Sequence, residues 1–161
     1  MMLPVQWQGQ PDETWCWATS ASIISVYYAQ MGAGQAFSAC EVAGRTLGTL
    51  CCAPVPTDPP PPECQTSFDL ERALDAVGHL NPNALPADGF ALVQEEINNN
   101  RPLCAMIKFN GGPFHYIVLN GFDTASQQVM VVDPASTSFP MPFQAFLVNA
   151  HFSFVDWILT A

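Results

Sequence analysis

The chain has 161 residues and is acidic, with four Lys and Arg against fourteen Asp and Glu and a net charge of −10. Four scattered cations do not make a surface that follows a phosphate backbone, so nucleic acid and anionic membranes are excluded as main partners. Hydrophobic residues make up 49% of the chain, which argues against disorder and, with the length, predicts a single domain over residues 1–161. No apolar run reaches the roughly 18 residues that a membrane-spanning helix needs.

The first predicted element is a helix that begins at Cys16 and ends before Gly32. It is apolar on most faces, which is typical of a helix in the centre of a core. Cys16 therefore lies in the first turn, where free backbone N–H groups and the helix dipole favour a thiolate over a thiol. Gln10 lies six positions upstream and can donate its side-chain amide to an oxyanion formed beside that sulfur.

Four of the other cysteines fall in a segment rich in loop signals and are predicted to form up to two disulfides: Cys40, Cys51, Cys52 and Cys64. The adjacent pair is expected to reach two different partners, and Cys104 lies apart in an apolar strand. Free thiols are the alternative, whereas no C-x-x-C spacing or nearby histidine supports a zinc site. We therefore predict no metal and no cofactor. Disulfides indicate an oxidising compartment, so the protein is expected to be secreted or exported, by a route that the sequence leaves open because its start does not resemble a signal peptide.

Helical signals dominate the first hundred residues. Ser38 and Glu41 form a capping-box pattern that opens a short helix ending by Gly44 or Gly48. Clustered prolines make residues 51–63 a stiff surface loop. Residues 68–77 form an amphipathic helix, and a further helix over residues 89–97 is predicted to be capped by Asp88.

The hydrophobic period then changes to two, which predicts strands over residues 103–109, 114–120 and 128–133. Residues 143–148 are expected to form a short helix or turn, and residues 151–158 a last strand. Helices followed by antiparallel strands indicate an α+β fold, with a helical N-terminal half, its buried central helix included, packed on a C-terminal antiparallel sheet.

His115 and Asp133 lie on consecutive predicted strands. A hairpin centred on Thr124 would place them directly opposite each other on one face of the sheet, within hydrogen-bonding reach. Cys16 would then act as a nucleophile, His115 as the base that takes its proton, and Asp133 as the carboxylate that orients the imidazole.

These residues resemble the papain-like cysteine peptidases, whose order is Gln, Cys, His, then Asn or Asp. The tryptophans on both sides of Cys16 are similar to a small bacterial branch related to plant-pathogen avirulence proteases, which overlaps with the C39-like peptidases. Further matches to that branch are Arg101-Pro102, Gly121-Phe122-Asp123 and the adjacent Cys51-Cys52. The chain departs from it at Phe114, where glycine is common.

The resemblance implies a papain-like fold, a protein or peptide substrate, and a monomeric thiol hydrolase in which Cys16, His115, Asp133 and Gln10 are catalytic. Trp17 and Phe114 are the candidate substrate-binding residues; Trp15 and Trp17 are expected to pack at the helix base and against the His115 ring. Three alternatives stay open: acyl transfer on the same site by a glutamine deamidase or transglutaminase-type toxin, a peptidoglycan amidase, and a catalytically silent, disulfide-linked binding module.

Overall fold

The computed structural model describes residues 1–55, 58–83 and 89–161. The helices in them, in chain order, are α1 (Cys16–Gln30), α2 (Ala39–Leu47), a 3₁₀ turn (Pro62–Cys64), α3 (Leu70–Ala76), α4 (Gly89–Asn98) and α5 (Phe143–Leu147). The strands are β1 (Leu103–Phe109), β2 (Phe114–Asp123), β3 (Gln128–Val132), β4 (Ser138–Pro142) and β5 (Phe152–Ile158). The predicted α+β class is confirmed. Asp88, the predicted cap of α4, lies outside the described residues.

The central helix α1 is buried along almost its whole length and packs against α2, α3 and β2. Most of its buried polar side chains find partners within the protein, as burial requires, whereas Thr19 Oγ1 is buried without a partner among the described residues. Ser22 Oγ donates to the Phe37 carbonyl over 2.7 Å, and Tyr27 Oη donates to the Asn100 carbonyl over 2.9 Å. The helix N-terminus has no side-chain cap, so the first turn that holds Cys16 keeps its backbone N–H groups available.

Two disulfides tie the proline-rich loop to the helical half. Cys40 pairs with Cys52 and Cys51 pairs with Cys64, so the adjacent cysteines do reach different partners. The predicted capping box of α2 is present, because Ser38 Oγ accepts from the Glu41 N–H while the Glu41 carboxylate accepts from the Ser38 N–H.

The sheet is antiparallel with the strand order β4-β3-β2-β1-β5. Strand β4 was not expected from the sequence, because Pro140 and Pro142 remove two backbone donors from a segment of five residues. Its place at the edge of the sheet explains why it tolerates them, since an edge strand leaves half its backbone groups unpaired.

The register between β2 and β3 differs from the predicted one. Val118 faces Val132 and Leu119 faces Val131, two residues away from the predicted pairing of Leu119 with Val129, and a bulge at Gly121 shifts the register once more. The prediction that His115 and Asp133 are directly opposed is therefore wrong. A slip of two residues preserves the face on which a side chain lies, so Asp133 becomes a diagonal neighbour of His115 instead.

Within the described ranges, no helix has both the length and the hydropathy to cross a bilayer.

Candidate active site

Three predicted residues meet where α1 points at the sheet. Cys16 is the first residue of α1, His115 is the second residue of β2, and Asp133 follows directly after β3. The His115 Nε2–H donates to Asp133 Oδ1 over 2.7 Å. The thiol of Cys16 acts on the same imidazole and contributes to the rise of its pKa. Because Nε2 is engaged by the carboxylate, Nδ1 is the nitrogen left for the sulfur.

The surroundings of His115 favour its charged form. Burial by itself lowers the pKa of His115, but hydrogen bonds with Asp133 and Cys16 and the negative charges of these two groups outweigh it and raise the pKa to about 9. For Asp133, burial acts to raise the pKa, yet the bonds from His115, Ala135 and Ser136 keep it below its ordinary value. At neutral pH the pair is therefore an imidazolium held by a carboxylate.

Asp133 is fixed from several sides by the loop that follows it. Its Oδ1 also accepts from the Ala135 N–H over 2.9 Å, and its Oδ2 accepts from Ser136 Oγ over 3.0 Å. The Trp7 indole N–H donates to the Asp133 carbonyl over 2.8 Å. The N-terminal segment thus braces the residue that orients His115.

Gln10 is held close to this loop rather than aimed at the sulfur. Its backbone N–H donates to the Pro134 carbonyl over 2.9 Å, and its side-chain N–H donates to the Asp12 carbonyl over 2.9 Å. The Gln10 Oε1 atom is buried without a hydrogen-bond partner among the described residues. The second amide hydrogen of Gln10 remains available. The Asp12 carboxylate itself is engaged by the N–H and hydroxyl of Thr14.

A cavity of about 370 Å³ opens beside the sulfur; we call it the Cys16 cavity, and its lining is Cys16, Trp17, Ser67, Phe68, Met106, Pro113, Phe114 and Tyr116. Both predicted substrate-binding residues line it. Trp17 is fully buried, and its indole N–H donates to the Thr66 carbonyl over 3.0 Å. Phe114 is 54% exposed at the rim, with Lys108 Nζ 4.3 Å from its ring centroid.

A model of the family described as papain-like cysteine protease AvrRpt2 matches residues 1–150. The chain belongs to this family. The predicted resemblance and the papain-like fold are thereby confirmed, and at the level of the family the protein is a cysteine peptidase with a protein substrate. No curated protein matches the sequence.

Two supporting side chains of this protease site escaped the sequence analysis. Phe109 stacks on the His115 ring with centroids 5.6 Å apart, in the place predicted for Trp15 or Trp17. The indole of Trp15 instead donates to the Cys64 carbonyl over 2.7 Å. The alternation of β1 puts Phe109 on the same face as Ile107, which pairs with His115, so a known register would have revealed it. Trp7 offered no comparable signal, because its partner is 126 positions away.

Proposed function

We propose that this protein is a cysteine peptidase in which Cys16 is the nucleophile, His115 the general base and acid, Asp133 the orienting carboxylate and Gln10 an oxyanion donor. The observation that carries the proposal is the hydrogen bond between His115 and Asp133, on an imidazole whose pKa the Cys16 thiol also raises, together with the open cavity that Cys16 lines. Each group has the chemistry that its role requires.

In the acylation step, the Cys16 sulfur attacks the carbonyl carbon of the scissile peptide bond, and the carbonyl π electrons move to oxygen. The resulting oxyanion is stabilised by the Cys16 backbone N–H at the helix start and by the Gln10 amide. The His115 imidazolium then donates its proton to the leaving nitrogen, the C–N bond breaks, and a thioester and a free amine are formed.

In the deacylation step, neutral His115 takes a proton from a water molecule, whose oxygen attacks the thioester carbon. Collapse of the second tetrahedral intermediate breaks the C–S bond, releases a carboxylic acid and regenerates the thiolate–imidazolium pair. Asp133 holds the ring in one orientation through both steps, so that Nδ1 always faces the sulfur.

In this proposal residues 1–161 act as one domain, as a monomer, with Trp17 and Phe114 contacting the substrate from two sides of the Cys16 cavity. The two disulfides support an exported protein that matures in an oxidising compartment.

The decisive experiment compares the wild-type protein with Cys16→Ala on a mixture of proteins, with new N-termini identified by mass spectrometry. We expect wild-type protein to generate new N-termini and Cys16→Ala to generate none while its circular dichroism is unchanged. Full activity in Cys16→Ala would overturn the proposal. Ammonia release without new N-termini would replace peptidase activity with deamidation.

Alkylation supplies an internal control, because the described residues contain two free cysteines, Cys16 and Cys104. Iodoacetamide applied to native protein without reductant should modify Cys16 rapidly, since the sulfur lines an open cavity and His115 can take its proton. Cys104 is completely buried, and burial raises the pKa of its thiol, so it should stay unmodified until the protein unfolds. Equal modification of both cysteines would contradict the proposed role of His115.

A further inference from the structure

The wall of the Cys16 cavity continues into a second, smaller cavity. This neighbour has a volume of about 140 Å³ and shares Met106 and Tyr116 with the Cys16 cavity. We call it the acidic pocket, and its lining is Asp69, Glu71, Met106, Tyr116, Asp156 and Ile158. A third cavity of about 330 Å³ shares Glu71, Asp156 and Ile158 with it and extends the path farther from the sulfur.

Secondary structure places the three carboxylates along this path from different elements. Asp69 caps α3, Glu71 lies in the first turn of that helix, and Asp156 lies in β5. Strand β5 carries a bulge opposite the step from Met106 to Ile107. Because the extra residue changes the alternation, Asp156 becomes the direct partner of Met106, which in turn pairs with Tyr116. Bulges beside functional sites commonly re-aim a side chain in this way.

No salt bridge neutralises the carboxylates. Among the described residues, which include all four cations of the chain, no salt bridge involves Asp69, Glu71 or Asp156. Arg101 is bonded to Glu96, Arg45 lies over the Phe37 ring and Lys108 lies over the Phe114 ring. Arg72 follows Glu71 in α3, but its side chain is exposed and forms no salt bridge with the described residues. Burial raises the pKa of Tyr116, and the negative charges of Asp69 and Glu71 raise it further. The electrostatic field of these carboxylates therefore extends to the wall that the acidic pocket shares with the Cys16 cavity.

The arrangement does not resemble a metal site. Within residues 1–55, 58–83 and 89–161, no group of three or more Asp, Glu, His or Cys side chains is close enough to hold an ion. The carboxylates are spread along a groove that starts at the nucleophile, and an extended peptide bound across Cys16 would lay its side chains along that groove.

We infer that the acidic pocket is a specificity subsite that selects a lysine or arginine side chain of the peptide substrate, a few residues away from the scissile bond. The inference rests on the proposed peptidase function and adds a substrate class to it. The walls formed by Met106 and Tyr116 would contact the methylene stem of such a side chain, while its charged end lies in the negative field of the carboxylates of Asp69, Glu71 and Asp156.

The test uses fluorogenic peptides that place either lysine or its uncharged counterpart norleucine at one position at a time on both sides of the cleaved bond. At one position we expect kcat/KM to be about fivefold to tenfold higher for lysine, which is the size expected for a few partly exposed charge pairs. The preference should shrink as salt is raised from low ionic strength, because exposed charges are screened.

Charge-removing variants of similar shape then locate the effect. Asp156→Asn and Glu71→Gln should lower the lysine-to-norleucine ratio of kcat/KM towards one, each by about twofold to fivefold. Asp75→Asn is the matched control, because Asp75 is an exposed acid on the same helix but does not line either cavity. It should leave the ratio unchanged.

The outcomes separate the two proposals. If the wild-type protein cleaves no peptide, or if Cys16→Ala cleaves as well, the peptidase proposal fails. If peptides are cleaved but the ratio stays near one at every position, or if Asp75→Asn lowers it as much as Asp156→Asn, the acidic subsite is wrong and the peptidase proposal stands.

Discussion

His115 is the residue on which the electrostatics of the site depend, because its imidazole is bonded to the Asp133 carboxylate and is also influenced by the Cys16 thiol. A carboxylate on one side and a sulfur on the other keep the ring charged despite its burial. Phe109 stacks on the ring and limits the directions in which it can turn. This single side chain therefore joins the helical half to the sheet, and its protonation reports on both partners.

A histidine titration followed by NMR tests this balance directly. In the wild-type protein we expect a His115 pKa of about 9. Asp133→Asn should lower it because the negative charge of the carboxylate is lost, and Cys16→Ala should lower it because the sulfur no longer acts on the ring, while the burial that opposes protonation stays in both variants. A pKa of His115 that is the same in all three proteins would show that these contacts do not form in solution.

Asp133 is expected to assist turnover without being indispensable. An asparagine at this position keeps an acceptor for the His115 N–H, so Asp133→Asn should lower kcat/KM by about 100-fold, the lower end of the range for general acid–base effects. Asp133→Ala removes the acceptor and should lower it by about 1,000-fold. Steady-state kinetics on one peptide suffices, and an asparagine variant as inactive as the alanine variant would show that the charge, rather than the orientation, matters.

At this scale the sequence predicted the candidate catalytic residues but not the side chains that support them. Cys16, His115 and Asp133 stand out because helix start, strand period and order along the chain all point to them. Phe109 and Trp7 do not, since their importance arises only from cross-strand pairing and from a contact between distant parts of the chain. Even the pairing of His115 with Asp133 was predicted for the wrong reason, because a slip of two residues happened to preserve the face.

At the scale of helices, strands and loops, the segment from Cys64 to Phe68 connects the disulfides to the Cys16 cavity. The indoles on either side of Cys16 both donate to it, Trp15 to the Cys64 carbonyl and Trp17 to the Thr66 carbonyl. Its last residue, Phe68, lines the Cys16 cavity with its ring 5.6 Å from that of Trp17. The start of α1 and one wall of the cavity are therefore held by the same short stretch of backbone.

The two disulfides should consequently differ in their effect on catalysis. Each closes a short loop, with a sequence separation of 13 for Cys51–Cys64 and 12 for Cys40–Cys52, so removing either should lower the free energy of unfolding by about 2–4 kcal/mol. Only the double variant Cys51→Ala/Cys64→Ala frees the segment that lines the cavity. It should raise KM, whereas Cys40→Ala/Cys52→Ala should not.

The measurement combines denaturant unfolding with kinetics at a temperature where both variants are folded. Equal changes in KM for the two double variants would show that the disulfides contribute stability alone and do not shape the cavity.

Secondary structure followed from the sequence wherever local signals were strong. Examples are the capping box of α2 and the apolar residues on most faces of α1. Strand β4 could not be predicted in this way, because its prolines are compatible only with an edge position, which no local pattern reveals. The β2–β3 register was missed because the hairpin closes with Asp123 opposite Gln128 and is not centred on Thr124. The bulge next to Gly121, where a Cβ would lie 2.8 Å from the Met1 carbonyl oxygen, then shifts the pairing by one residue.

Across the whole molecule, the site lies where a helical half meets a sheet, so its charges contribute to the stability of the complete fold. The pKa of His115 is raised from 6.5 to about 9 in the folded state, so its contribution is complete below pH 6.5 and is lost as the pH rises through 9. The pKa of Asp133 is lowered from 3.8, so its contribution is present above that value and is lost as the pH falls below it. Both residues therefore contribute fully to the stability of the fold between about pH 4 and 6.5.

This window predicts how stability changes with pH. Between pH 6 and pH 9.5 the wild-type protein should lose up to about 3 kcal/mol more unfolding free energy than His115→Gln, which cannot titrate. Urea unfolding at the two pH values measures the difference. Equal losses of unfolding free energy in the wild-type protein and in His115→Gln would show that His115 does not contribute to the pH dependence of stability.

The exposure of Trp7 makes its fluorescence distinguishable from that of the other tryptophans. Of the four tryptophans, Trp15 and Trp17 are fully buried and Trp157 is 6% exposed, whereas Trp7 is 46% exposed. A neutral quencher such as acrylamide will therefore reach the emission of Trp7 before that of the other three. Because the Trp7 indole donates to the Asp133 carbonyl, its fluorescence will respond when that loop shifts, and substrate engagement can be followed in unlabelled protein.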